Sequence, residues 1–231
     1  MADCIFVSKD VADRLHNRKN IMNRTNNEIN LRLVDWRRIG EFDMPVISKC
    51  DFLPNKLTAF NLARTEKDKH CGVHFFIDDY QFERVWRNPT AYLNMLKQFQ
   101  CVLSPDFSVF VDMPAPMKIW NVYRNRLMGS WWQRKGIRII PTVGWAEPDS
   151  FRYCFAGIEP GGIVAVSNIG TRRTARTKRL WMLGAEEMVK RLRPSAILLY
   201  GSSDSFDFGQ IEVRLFKNTN IERLRKICDG E

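Results

Sequence analysis

The chain predicts an α/β protein with a mainly parallel sheet and crossover helices, arranged as a TIM-like barrel, closed or incomplete, in preference to an open doubly wound sheet. Three observations predict it. Apolar runs of strand length alternate with helical stretches at intervals of about 30 to 35 residues, the rhythm of parallel strands joined by crossovers. The run at 137–145 has no polar alternation beyond Arg138, as expected of a strand covered by helices on both faces. No G-x-G-x-x-G follows the first strand and no G-x-x-x-x-G-K-S/T occurs anywhere, which disfavours the dinucleotide-binding and P-loop folds.

Residues 1–40 read as a basic N-terminal arm or extension and 41–231 as a single α/β domain. Before residue 29 the apolar positions are too sparse to define a firm helix, so residues 1–28 read as an arm or weak helix, either a basic arm that grips phosphate or a mobile terminus. Between 41 and 69, short apolar pieces broken by Pro45 and Pro54 suggest a short strand and a wrapping loop. The first clear strand, 72–79, ends in Asp78 and Asp79. Asn88 and Pro89 are an N-cap and first helical position, and Tyr92, Leu93, Met95, Leu96 and Phe99 give the buried face that follows.

The strand at 101–107 ends near Asp106, and Asp112 with Pro114 opens a long helix. Met117, Ile119, Trp120, Val122, Tyr123, Leu127, Met128, Trp131 and Trp132 cover more than half its circumference, and Arg124, Arg126, Arg134 and Lys135 much of the rest. Gly136 stops it. A strand at 162–167 ends in Ser167 and Asn168, and the basic stretch TRRTARTKR at 171–179 feeds a helix closed by Pro194. A buried strand at 196–200 ends at Tyr200, and a last strand at 210–216 precedes a short basic helix at 220–228.

Lys and Arg outnumber Asp and Glu by 36 to 26, a formal charge of +10. That balance favours an anionic partner, nucleic acid first, with anionic lipid or a phosphorylated small molecule behind it; solubility is the bland alternative. The six cysteines form no C-x-x-C pair, and neither a signal peptide nor an apolar run near the roughly 20 residues of a membrane span is present. The expectation is a cytoplasmic chain with no membrane partner. His70, Cys71 and His74 lack the paired spacing of a zinc site, so no metal ligand is assigned among them. All three histidines precede residue 75 and no G-x-S-x-G elbow occurs, which argues against a Ser-His-Asp hydrolase.

In parallel α/β folds ligands sit at the carboxyl ends of the strands. Collecting the polar residues there gives Asp79, Asp106, Ser167 and Tyr200 as catalytic candidates and Asp78, Ser108, Thr142, Trp145 and Asn168 as pocket residues, with Asp204 beyond. Two neighbouring carboxylates are suited to holding Mg²⁺ or to splitting their pKa values into an acid and a base. Asp and Ser after strands are also ordinary helix N-caps, and Asp112 is assigned to that role. A competing set is basic: Arg124, Arg126, Arg134, Arg172, Arg173, Arg176, Lys178 and Arg179, with Trp181 nearby, have the composition of a phosphate-tracking groove. Trp120, Trp131 and Trp132, at helical spacing, read as core.

The ordered motifs HFFIDDYQFERVW at 74–86, LSPDFSVFVDMP at 103–114, IWNVYRNRLMG at 119–129, IPTVGW at 140–145, FRYCFAGI at 151–158 and VAVSNIG at 164–170 resemble an uncharacterised domain family of phages, prophages and other bacterial mobile elements. The resemblance covers about residues 40–205. It implies a bacterial host cytoplasm and no particular reaction. The chain departs from the family at Ser167-Asn168-Ile169-Gly170, where Thr-Val-Gly is typical. Three functions remain open: a nucleic-acid-binding protein in DNA replication, recombination or its regulation; a metal-assisted hydrolase or nuclease; and a phage protein that binds and redirects a host or phage protein.

Overall fold

Seven short strands carry the backbone pairing among the described residues: β1 (Leu57–Ala59), β2 (Gly72–His74), β3 (Cys101–Leu103), β4 (Ile139–Ile140), β5 (Val164–Ser167), β6 (Ala196–Tyr200) and β7 (Glu212–Phe216). The computed structural model describes residues 27–171, 173–202 and 206–217; residues 1–26, Arg172, Asp204 and the helix expected at 220–228 lie outside them. Every strand pair is parallel, in the order β1-β2-β3-β4 in one sheet and β5-β6-β7 in the other. The sheets meet at Thr142 and Ala165, where Val143 N–H donates to Ala165 O at 2.8 Å and Ala165 N–H to Pro141 O at 2.9 Å. The seven strands therefore follow one another in sequence order, without the reversal that a doubly wound sheet requires.

The helices between strands are α1 (Glu83–Arg87), α2 (Leu93–Leu96), α3 (Ala115–Arg134), α4 (Phe151–Cys154) and α5 (Ala175–Leu192). Pro114 precedes α3 as predicted, but Asp112 is exposed and supplies no cap hydrogen bond. Asn88 does not cap either; the chain tightens into a 3₁₀ turn at Pro89–Tyr92 and a single α turn, shorter than the helix expected there. α5 has the stronger start: Thr174 Oγ1 accepts from Thr177 N–H at 3.1 Å while Thr177 Oγ1 accepts from Thr174 N–H at 3.2 Å, a reciprocal capping box.

Alternate residues of a strand face opposite sides of the sheet, and here the two sides are packed differently. Val73, Val102 and Ile139 cluster with Leu127, Met128, Trp131 and Trp132 of α3. Val164, Val166, Ile197 and Leu199 cluster with Trp181, Ala185, Met188 and Leu192 of α5. The residues between them, Cys101, Leu103, Ile140, Ala165, Ala196 and Leu198, form a cluster that contains no helix. Helices thus cover one face and the other packs on itself. This corrects the expectation of helices on both faces and describes a curled wall. Among the described residues no ladder joins β7 to β1; Arg214 spans that seam, with Nη1 donating to Asn55 Oδ1 at 2.6 Å and to Pro54 O at 3.2 Å.

The interior is filled rather than hollow. Tyr200 lies against His74 (ring centroids 4.7 Å apart) and stacks on Phe76 (5.0 Å), joining the ends of β2 and β6 across it. α3 is buried around most of its girth, and it approaches the segment at Ile47 so closely that a Cβ on Gly129 would overlap that side chain. The paired segments are shorter than the apolar runs that announced them: Phe75, Phe107 and Val143 are buried without belonging to a strand.

Candidate functional site

The strand ends are built on a frame of short hydrogen bonds. Thr142 N–H donates to Ser104 Oγ and Thr142 Oγ1 donates to Ser104 O, both at 2.8 Å, stapling the exits of β3 and β4. Ser104 Oγ donates to Asn125 Oδ1 at 2.9 Å, and Asn125 Nδ2 donates to Pro105 O at 2.7 Å. Arg126 completes this frame, donating to Ala156 O (2.8 Å), Asn125 Oδ1 (2.6 Å), Thr142 O (3.2 Å) and Cys154 O (2.6 Å). It is 1% exposed, and burial pushes its guanidinium down to about 10.

On this frame stand the two carboxylates. Asp79, on the turn after β2, accepts from Ser108 N–H at 3.1 Å and from Ser108 Oγ at 2.7 Å. Ser108 is held from the other side by Asn121, whose Nδ2 donates to Ser108 O at 2.6 Å. Asp106, half-buried beneath Ser108, makes no hydrogen bond or ion pair among the described residues. Removal from water, reinforced by the charge of Asp79, pushes its carboxyl up to about 7. It borders a cavity of about 10 Å³, room for the centre of a single water, shared with Asn121, Asn125, Arg126, Thr142 and Gly144. Asp106, bonded to no backbone amide among the described residues, is not a helix cap.

The remaining strand-end residues take other parts. Asn168 Oδ1 accepts from Ser202 N–H at 3.0 Å and its Nδ2 donates to Ser202 O at 2.6 Å, joining the exits of β5 and β6. A Cβ on Gly201, whose φ is +138°, would overlap that amide. Ser167 Oγ accepts from Ile169 N–H at 3.2 Å and so shapes its own loop. Tyr200 is 3% exposed within the aromatic stack. Trp145 packs on Trp181 and over Gly184, where no side chain would fit, and its Nε1 is buried without a partner. Asp78 is exposed at the rim. The strand-end set thus divides into an Asp79–Ser108–Asp106 centre and a group that holds loops in place.

The basic set divides as well, and here the sequence expectation is corrected. Arg124 reaches both oxygens of Glu83 (2.8 and 2.9 Å), donates to Asn121 Oδ1 (2.7 Å) and lies 3.8 Å over the Phe107 ring. With Arg126 it belongs to the interior: Arg124 is held by Glu83 of α1 and Asn121 of α3, with its Nε buried and without a partner, and Arg126 by Asn125 and by the carbonyls of Thr142 after β4, Cys154 in α4 and Ala156 beyond it. Arg134, on the exposed last turn of α3, donates to Leu33 O. Trp181, 5% exposed, donates Nε1 to Ser167 O at 2.9 Å and offers no stacking face. Arg173, Arg176, Lys178 and Arg179 are different: all four are exposed at the start of α5 and none forms an ion pair among the described residues.

For metal binding, Mg²⁺ commonly takes one or two carboxylates and fills its octahedron with water and substrate oxygens. Asp79 and Asp106 are the pair available, and among the described residues no group of three or more His, Cys, Asp or Glu is placed to hold a metal. His74 faces the interior with Nδ1 accepting from Phe76 N–H at 3.1 Å, and burial lowers it to about 3, so it is neutral. Cys71 Sγ instead donates to Asp68 O at 3.1 Å, which separates the histidines and thiol that the sequence set side by side. No described helix is long and apolar enough to cross a membrane.

These features define a parallel α/β protein with buried polar residues at the carboxyl ends of the strands and exposed cations at the start of α5. The chain belongs to the family described as a domain of unknown function, DUF4417, whose pattern matches residues 37–217. It is similar to the Gene 1 protein of Mycobacterium phage L5, with 40% identity over 203 residues, covering 86% of this chain and 87% of that protein. It is also similar to the Gene 1 protein of Mycobacterium phage D29, with 37% identity over 176 residues, 75% of this chain and 65% of that protein. No solved structure matches it. The phage context expected from the motifs is thereby established.

Proposed function

We propose that this chain is a phage nucleic-acid-binding protein that acts in the bacterial cytoplasm, in DNA replication, recombination or their regulation. One observation carries the reading: Arg173, Arg176, Lys178 and Arg179 are exposed at the amino end of α5, beyond the carboxyl end of β5, and form no ion pair among the described residues. Cations there oppose the helix macrodipole and no acidic residue occupies the first turn, so the arrangement costs stability unless an anion is bound. The formal charge of +10 agrees. If all four cations meet phosphates, affinity falls about 100-fold between roughly 50 and 200 mM salt. Fluorescence anisotropy with labelled DNA and RNA tests this. The triple reversal R173E/R176E/K178E is expected to flatten the salt dependence, and D106A to leave it intact. No binding at low salt sinks the reading.

A second reading, acid–base chemistry at the same end, is favoured by Asp106. A metal-assisted hydrolase or nuclease would use its carboxyl, poised at about 7, to move a proton to or from a water or leaving oxygen while Asp79 stays bonded to Ser108. Asp106→Asn should then abolish Mg²⁺-dependent cleavage of a nucleic-acid substrate in a folded protein. Undiminished cleavage by that variant excludes this role.

A further inference from the structure

Four aromatic side chains are exposed among the described residues, and three of them, Tyr80 (80%), Phe110 (57%) and Trp120 (39%), lie on the crossovers that follow β2 and β3. Each is within two residues of a member of the hydrogen-bonded chain Asp79–Ser108–Asn121. Tyr80 follows Asp79, Phe110 is two residues beyond Ser108, and Trp120 precedes Asn121; the Asp79–Ser108 and Asn121–Ser108 bonds hold these three segments together. Trp120 is further fixed by a parallel stack on Tyr123 (5.6 Å, 13°) and an edge contact with Trp86 (5.3 Å). Scattered exposed rings need no explanation, but three on neighbouring crossovers beyond the carboxyl ends of the strands, where parallel α/β folds take their ligands, do.

We infer that Tyr80, Phe110 and Trp120 form a base-stacking platform that selects single-stranded over duplex nucleic acid, an inference that rests on the nucleic-acid reading above. The charges around the platform set the orientation. Asp78 and Asp112 are exposed on the same crossovers and repel phosphate, whereas the cations of α5 follow β5, two strand spacings along the order from β3 and three from β2, about 10 to 14 Å at roughly 4.8 Å each. An unpaired strand satisfies both, with bases on the rings and backbone turned toward Arg173, Arg176, Lys178 and Arg179. A duplex cannot: its bases are already stacked, and its second phosphate row would meet the carboxylates.

The test is anisotropy with one labelled single strand and its duplex, read for the wild type, Y80A/F110A, the ring-preserving Y80F and the α5 triple reversal. The rings are exposed, so truncation leaves folding intact, as circular dichroism verifies. The single strand should bind at least about tenfold tighter than the duplex. Y80A/F110A should lose about tenfold or more on the single strand with an unchanged salt slope, and Y80F should retain wild-type affinity. Equal affinity for both forms, or full binding by Y80A/F110A, overturns the platform while the nucleic-acid reading stands. Absence of binding by both forms at low salt overturns both readings.

Discussion

Replacing Asp106 by asparagine removes a charge the fold holds at a cost, and the effect on stability should depend on pH. The carboxyl is raised from the ordinary 3.8 to about 7 by burial and by Asp79. A shift of that size has a ceiling of about 4 kcal/mol; the side chain keeps some solvent contact, so roughly 2 kcal/mol is the working figure. Between about pH 4 and pH 7 the folded protein keeps a proton that the unfolded chain has released. Stability therefore falls as pH rises through that window and levels above it. Asparagine carries no such charge. Asp106→Asn should match the wild type near pH 4 and exceed it by roughly 2 kcal/mol at pH 8, or about 4 to 8 °C in Tm for a chain of this size. Thermal unfolding of both proteins at several pH values measures this directly, since other titrating groups cancel in the difference. Lower stability of the variant at pH 8, or a gain equal at all pH values, refutes the reasoning.

Two further substitutions test the frame. Gly184→Ala would gain helix propensity of about 1 kcal/mol at an ordinary position, but a methyl there overlaps the Trp145 indole. A net loss of about 2 kcal/mol or more is expected in urea unfolding, and a stabilised variant would show that Trp145 does not pack as described. Arg126→Met removes the donor to three backbone carbonyls and to Asn125; a loss of about 3 kcal/mol should appear in the unfolding midpoint, with nucleic-acid affinity per folded molecule unchanged. Weakened binding in a fully stable Arg126→Met protein would return this arginine to the surface set.

Local signals were reliable where they depended on neighbours in the chain. Pro114 and Gly136 bracket α3, Pro194 follows α5, and the apolar run at 196–200 is β6. Apolar runs overstated strand length because burial and pairing are different demands: the 72–79 run is paired only over Gly72–His74, after which Phe75 turns into the core and Asp79 begins a 3₁₀ turn. Asp106 and Asp79 were recognisable as strand-end carboxylates, but their difference was not. Ser108 bonds one and leaves the other bare, and that depends on how two loops about 30 residues apart in sequence meet.

By itself the sequence determined the parallel α/β class, the phage context and the strand-end location of the polar residues, since periodicity, punctuation and ordered motifs are local properties. Tertiary structure alone decided which charges are spent. Arg124 and Arg126 are indistinguishable by residue type from Arg173 and Arg176, yet the first pair finds Glu83 and the carbonyls of residues 142, 154 and 156, and the second is exposed and meets no carboxylate among the described residues. A guanidinium is available to a partner only when no acceptor from elsewhere in the fold has reached it first, and in this chain those acceptors come from loops that only the curled sheet brings together.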